Sequence, residues 1–421
     1  MTQRKYKDSG IEWIGRIPWE WKTEKAKYIF SQRREKGNTD CTLLAATQKY
    51  GMYPQYLLEG VVLVANDTNI QQFKTVHIND YVISLRSFQG GFEISQYEGI
   101  CSPAYQVFYA CKPINNTYFK YLFKSGAFIQ QINAYVLGIR EGKNIQYEDF
   151  STMFLPIPPL SEQQQIADYL DRKCGEIDAL INLQEQMIAQ LTDYKQSVIT
   201  EAVTKGINPD AELVPSGIDW IGDVPKGWKP MRMKYIGEFQ NGLTYSPHDV
   251  CGTEGILVLR SSNIQNAKIT FDDNVYVKSA PASLMVKEGD IIICSRNGSA
   301  SLIGKCAIVG EGVIASYGAF MVRFRSRIRN RFAFYLISTV IPQYKQLFTT
   351  TTINQLTKGM LSSMIGVLPP EDEQVPIASY LDSKCSEIDT LIELKRKKID
   401  TLKEYKKSVI YEAVTGKTII D

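Results

Sequence analysis

The phrase SGIEWIGRIPWEWK at residues 9–22 returns as SGIDWIGDVPKGWK at 216–229. A chain that repeats itself has to fold as repeated units, so this recurrence constrains the architecture before any local pattern does. A second repeat follows each phrase. Residues 158–206 align without gaps to 369–417, with 28 identities over 49 positions, which implies duplication of a whole unit. Between the repeated phrases lie two stretches, about 23–157 and 230–368, that resemble each other only in outline; NDYVISLRS and GDIIICSRN place Arg86 and Arg296 at equivalent strand ends. The expected divisions are an opening phrase plus first variable domain (1–157), a first helical segment (158–206), a second phrase plus second domain (207–368) and a second helical segment (369–421). At 421 residues the chain also exceeds what one core supports. All five tryptophans lie in the two phrases, and they are expected to dock each unit's start rather than to stack on bases.

The repeated segments read as long helices. Leu170, Cys174, Ile177, Ile181, Ile188, Leu191, Val198 and Ala202 recur at spacings of three and four, matched by Leu381, Cys385, Ile388, Ile392, Ile399, Leu402, Val409 and Ala413. Pro158 and Pro159 precede the first helix, where Ser161 and Gln164 can form a capping box. Asp372 can cap the second, with Pro376 tolerated in its first turn. Gly206 and Gly416 close them. About 44 residues each gives rods of roughly 66 Å, suited to an antiparallel coiled-coil pair. Gln184 and Lys395 fall at the midpoints of the two stripes, and pseudo-two-fold symmetry would set them face to face. The variable stretches mix strand-like runs (VVLVAN, YVISLR, AYQVFYA, ILVLRSS, DIIICSR, AFMVRFR) with helical ones (117–135 and 329–348). The expected fold class is α+β: two mixed α/β domains in pseudo-two-fold arrangement, separated by a pair of long antiparallel helices.

Composition excludes several classes. No stretch approaches the apolar length of a membrane span and the polar start MTQRKYKDSG lacks a signal-peptide core, so a soluble cytoplasmic protein without a membrane partner is expected. Eight cysteines without a Cys-x-x-Cys pair and two distant histidines, His77 and His248, give metal sites and His-based triads little to build on. No Asn-Pro-Pro-aromatic motif and no glycine-rich nucleotide loop appear, so neither catalytic nor metal-binding residues are assigned. Net charge is only +3, but residues 230–368 carry 15 basic against 8 acidic residues and 23–157 carry 13 against 11, whereas the helical segments 161–204 and 371–415 are acidic. Domains that meet phosphates, held on rods that do not, fit that distribution. In RFRSRIRNR, Arg323, Arg325, Arg327, Arg329 and Arg331 alternate, so an extended strand would line them on one face as a phosphate-tracking comb. Polar loops able to reach base edges supply the other DNA-binding candidates: Gln48 and Lys49; Arg86, Ser87 and Gln89; Arg140 and Lys143; Arg260 and Asn263; Arg296 and Asn297.

With these residues in view, the chain resembles the specificity subunit of Type I restriction-modification systems along nearly its whole length. The two opening phrases look like the starts of that family's halves, and LPIPPLSEQQQIADYLD and LPPEDEQVPIASYLD like its domain-to-helix junctions. Pro376 and Lys395 depart from the expected pattern. The resemblance implies a non-catalytic subunit whose two target-recognition domains each read half of a bipartite sequence in double-stranded DNA. Its helices, packed through Leu170, Ile177, Gln184, Leu191 and Val198 against Leu381, Ile388, Lys395, Leu402 and Val409, would dock two adenine-methylating modification subunits, with restriction (motor-nuclease) subunits added for cleavage. No cofactor is then expected in this chain: S-adenosylmethionine belongs to the modification subunit, ATP and Mg to the restriction subunit. Rival readings are the recognition subunit of a Type IIB-like enzyme and a coiled-coil scaffold.

Overall fold

The computed structural model describes residues 4–38, 40–58, 70–84, 91–137, 145–345 and 355–420. The run VVLVAN lies outside them. The chain divides into two compact units, 1–185 with 396–421 and 186–395, so each unit combines one variable domain with the start of its own helical segment and the end of the other.

In the first unit, a four-stranded antiparallel sheet is formed by Phe30–Arg33 (β1), Tyr81–Ile83 (β2), Phe92–Ile94 (β3) and Gln106–Ala110 (β4), in the order β1-β4-β2-β3. Helices Asn116–Lys124 (α1) and Gly126–Leu137 (α2) follow. Phe30, Tyr81, Phe108, Phe119, Phe123 and Phe150 fill the space behind the sheet, with Phe30 edge-on to Tyr81, Phe108 and Phe119. The Asn115 side chain caps α1 by accepting from Tyr118 N at 2.9 Å. The helical segment is one 46-residue helix, Leu160–Lys205 (α3).

The second unit repeats this sheet as Gly237–Asn241 (β5), Ile291–Cys294 (β7), Cys306–Ile308 (β8) and Met321–Ser326 (β10), in the equivalent order β5-β10-β7-β8. A smaller sheet adds Ile256–Leu259 (β6), which runs parallel to Ala315–Tyr317 (β9). Helix Asn330–Gln343 (α4) and the start of the 44-residue helix Glu371–Val414 (α5), as far as Lys395, belong to it.

The apolar stripes face inward as the spacing predicts. Leu170, Cys174, Ile177, Leu381, Cys385, Ile388 and Val409 are buried, and Leu191, Val198 and Leu402 half-buried. Within the first unit, Ile166, Leu170 and Cys174 from the start of α3 share a core with Val409, Ala413 and Val414 from the end of α5, and Asp178 pairs with Lys406 at 2.7 Å. Numbers rising along α3 meet numbers falling along α5, so the pairing is antiparallel. The second unit repeats it, with Ile199, Ala202 and Val203 against Ile377, Ala378 and Leu381, and Lys195–Asp389 at 2.7 Å.

The expected caps are displaced. Helix α3 starts at Leu160, so Ser161 sits inside it, and Gln164 instead accepts from Asn115 Nδ2 and donates to Asp168. Likewise α5 starts at Glu371, which places Asp372 inside the helix and Pro376 beyond the first turn, where its missing N–H leaves the Asp372 carbonyl without the usual helical donor. Gln184 is 3 % exposed, and its Oε1 has no hydrogen-bond partner among the described residues; Lys395 is half-buried.

Other contacts recur in both units. Trp21 Nε1 donates to Glu162 at 2.8 Å and Trp228 Nε1 to Glu373 at 3.2 Å, so these two tryptophans dock the opening phrase as expected; Trp19, by contrast, is exposed. Tyr121 donates to Asp171 and Tyr335 to Asp382. The helix-closing glycines complete the joint: Gly416 (φ +70) packs on Pro18 and Trp21, and Gly206 (φ +76) on Trp228. A Cβ on Gly416 would lie 2.5 Å from Pro18 Cδ, whereas Gly10 (φ +70) faces open space. Both alanine variants incur the left-handed backbone cost of about 1–2 kcal/mol. Gly416→Ala adds a clash, so in urea unfolding it should lose clearly more stability than Gly10→Ala.

Candidate nucleic-acid interface

In the second unit, several strand ends meet at one edge. Leu243 N donates to Tyr317 O, Gly318 N to Leu259 O, and Ser295 N to Phe320 O. The segments following β5, β6 and β7 therefore gather around the link between β9 and β10. Two candidate loops come together here: Asn297 Nδ2 donates to Ser261 Oγ at 3.0 Å and Lys305 Nζ to Ser261 O at 3.4 Å. Arg260 pairs with Asp273 at 2.8 Å, and its Nε, with Ser262 Oγ and Thr270 Oγ1, is buried without a partner among the described residues. Arg296 is exposed and lies over the Phe320 ring at 5.1 Å; Phe320 itself is 57 % exposed. A guanidinium stacked on an exposed aromatic presents a flat cationic surface suited to phosphates or bases. Phe320 was not among the sequence candidates, and its signal was an aromatic in a link, YGAF, just ahead of the arginine-bearing strand.

Asn263 corrects its assignment. Fully buried, it donates to Thr270 O, Asp273 O and Asn274 Oδ1, so it builds the loop and has no free edge for a base.

The arginine comb is corrected too, because β10 ends at Ser326 and the five residues diverge. Ser326 Oγ and Ile328 exchange local hydrogen bonds that turn the chain. Arg323 is 3 % exposed and donates to Ser283 O and Gln240 Oε1. Arg325 grips Asp290 with two bonds, at 2.7 and 2.6 Å, and this carboxylate, foremost among the causes, raises the arginine's pKa. Arg329 pairs with Glu371, and Arg331, inside α4, with Asp382. Arg327 stays exposed.

In the first unit, Gln48 and Lys49 are exposed and line a cleft of about 1060 Å³ together with Glu93, Lys120, Lys124 and Lys403. Lys49 lies over the Tyr50 ring, and Tyr50 raises its pKa. Lys124 pairs with the buried Glu93 at 2.7 Å. Arg86, Ser87, Gln89, Arg140 and Lys143 lie outside the described residues. Here the buried carboxylate equivalent to Asp290 is Asp80, held by Arg33 of β1 rather than by a residue of β4. Burial pushes the Cys101 and Cys306 thiols up to about 12, which makes both poor nucleophiles. Among the described residues, no group of three or more His, Cys, Asp or Glu could hold a metal ion, and no helix is long and apolar enough to cross a membrane.

The family model for the Type I restriction modification DNA specificity domain matches this chain twice, over residues 18–193 and 225–404, and the chain belongs to that family. It is 28 % identical to the Type I restriction enzyme MjaVIII specificity subunit of Methanocaldococcus jannaschii over 66 % of this chain and 65 % of the relative. It is 23 % identical to the EcoKI specificity subunit of Escherichia coli over 59 % and 54 %. The matches thus span somewhat less than two thirds of these relatives. In fold, it superposes with a TM-score of 0.73 on a chain from a study of complex assembly and conformational transition of the type I R-M system, at 15 % identity over 96 % of this chain and 99 % of that one. The HsdS subunit of Thermoanaerobacter tengcongensis gives a TM-score of 0.51 at 15 % identity over 96 % and 98 %.

Removing Arg327 should weaken DNA binding similarly on all sequences and lower the slope of log affinity against log salt by about one. Arg325→Ala should instead act on folding: it strands Asp290, 2 % exposed, at a cost of about 3 kcal/mol readable in denaturant melts.

Proposed function

We propose that the chain is the DNA sequence-recognition subunit of a Type I restriction-modification complex, each variable domain reading one half of a bipartite target. The supporting observation is the repetition of one frame under two different surfaces. Strand order, the buried aspartate and the ties to the helix recur, while the residues facing outward differ: Arg296 on Phe320 and a net +7 in one domain, Lys49 on Tyr50 and a net +2 in the other. A frame kept constant under altered contact chemistry suits two readings of different sequences.

The partners in this reading are two modification subunits, and the outer faces of the helices supply apolar surface for them. Leu180, Leu183 and Tyr405 are exposed in the first unit, and Leu391, Leu394 and Tyr194 at the equivalent positions in the second. An apolar set written twice and left uncovered fits two copies of one partner. S-adenosylmethionine would be bound by the modification subunits, ATP and Mg by restriction subunits, and the complex would act in the cytoplasm. This chain contributes specificity and no chemistry.

Exchange of residues 230–368 for the matching domain of another member of the family should change one half of the methylated sequence and leave the other, as read by sequencing methylated adenines. A change in both halves would overturn independent reading, and S-adenosylmethionine-dependent methylation by this chain alone would overturn the non-catalytic assignment.

A further inference from the structure

Gln163 and Gln374 occupy equivalent positions at the starts of α3 and α5, and both are 3 % exposed. A glutamine so placed in the first turn of a helix ordinarily points to solvent, and burying its amide is unfavourable unless both ends find partners. Both ends do, in both copies. Gln163 Nε2 donates to Pro158 O at 3.0 Å, and its Oε1 accepts from Asn115 N at 2.9 Å. Gln374 Nε2 donates to Pro369 O at 3.3 Å, and its Oε1 accepts from Arg329 N at 3.2 Å. Asn115 and Arg329 are the N-cap residues of α1 and α4, the helices that follow the central strands of the two sheets.

One carboxamide thus ties three things in each unit: the turn entering the long helix, that helix's first turn, and the start of the helix carried by the recognition domain. A backbone N–H at an N-cap is fixed in direction, and so is a proline carbonyl, so an amide bonded to both sets the angle between domain and long helix as well as their separation. The Tyr121–Asp171 and Tyr335–Asp382 bonds lie farther along the same joint and hold its distance from a second point.

We propose that Gln163 and Gln374 are positioning residues for bipartite recognition: each fixes the orientation of its own recognition domain on its own helix, and so sets how strictly the complex demands one spacer between half-sites. The inference rests on the reading of the chain as a specificity subunit. It assigns neither glutamine a contact with DNA.

The test uses the full chain assembled with its modification subunit, with methylation measured on a series of duplexes that keep both half-sites and vary the spacer by one and two base pairs. Gln163→Leu and Gln374→Leu remove both bonds at similar volume. Gln163→Met and Gln374→Met, unbranched and of matching length with no buried charge, serve as second variants if a leucine variant does not fold. Losing both bonds shifts an equilibrium by at least about tenfold, so the preference for the cognate spacer over its neighbours should fall by at least about that factor. The methylated half-site sequences should stay unchanged. A variant that methylates every spacer more weakly by one common factor has lost only stability, and a variant that alters a half-site sequence has the glutamine reading DNA; either result overturns the proposal. Wild-type complex with no methylation at any bipartite target would instead overturn the specificity-subunit reading itself, which separates the two failures.

Discussion

A helix of 46 residues with an apolar stripe along its length cannot stand alone in water, because most helical stability comes from burying such a stripe. Its partner is the stripe of α5, and antiparallel pairing sends the end of the chain back to its beginning. Unit one can therefore be completed only by residues 396–421, whose Val409, Ala413 and Val414 join a core made otherwise of residues from the first half. Gly416 settling on Pro18 and Trp21 is the local form of that closure. The recurrence of the opening phrase follows from the same constraint, since each helix end needs a tryptophan-bearing phrase to receive it: Gly206 meets Trp228 as Gly416 meets Trp21.

Polar groups then decide orientation where apolar packing leaves it loose. Indole to Glu162 or Glu373, carboxamide to two backbone groups and tyrosine to Asp171 or Asp382 are all directional, and each occurs once per unit. Buried hydrogen bonds of this kind add modest net stability but make misdocked arrangements costly, because a shifted helix would leave them unpaired. Gln184, buried with an Oε1 that has no partner among the described residues, belongs to the same logic with the opposite sign: a stripe interrupted by an amide gives up stability that leucine would have supplied.

What could be read from the chain was what depends on near neighbours or on repetition. The stripes of α3 and α5 were legible because spacings of three and four are local and each was written twice. The two mixed domains were legible from β-branched apolar runs such as DIIICSR, which became β7. RFRSRIRNR misled because alternation predicts one face only while a strand lasts, and Ser326 turns the chain midway. The partners that engage Arg325, Arg329 and Arg331 are Asp290, Glu371 and Asp382, from 35 to 51 residues distant, and nothing local announces them. Asn263 failed as a base reader for the same reason: an asparagine in a polar loop looks available until its fold uses every donor. Gln163 was hidden among three consecutive glutamines, and only superposing the two repeats shows that the Glu-Gln pair, not its neighbours, is kept.

The buried aspartates show how such a frame can outlast changes in the surface it carries. Asp80 and Asp290 stand just ahead of equivalent strands, each accepting from the backbone N–H three residues earlier, His77 N or Lys287 N. Both need a guanidinium, and the two domains find it on different strands: Arg33 on β1 in one, Arg325 on β10 in the other. The requirement is electrostatic, because a carboxylate 2 % exposed must be paired, but it does not dictate which strand supplies the charge. The sequence of the sheet can therefore change while the counter-charge is preserved. At the strand ends, the side chains of Arg296 and Phe320 are freer still, since both are exposed. In the proposed reading, recognition chemistry changes there without disturbing the joint that aims it.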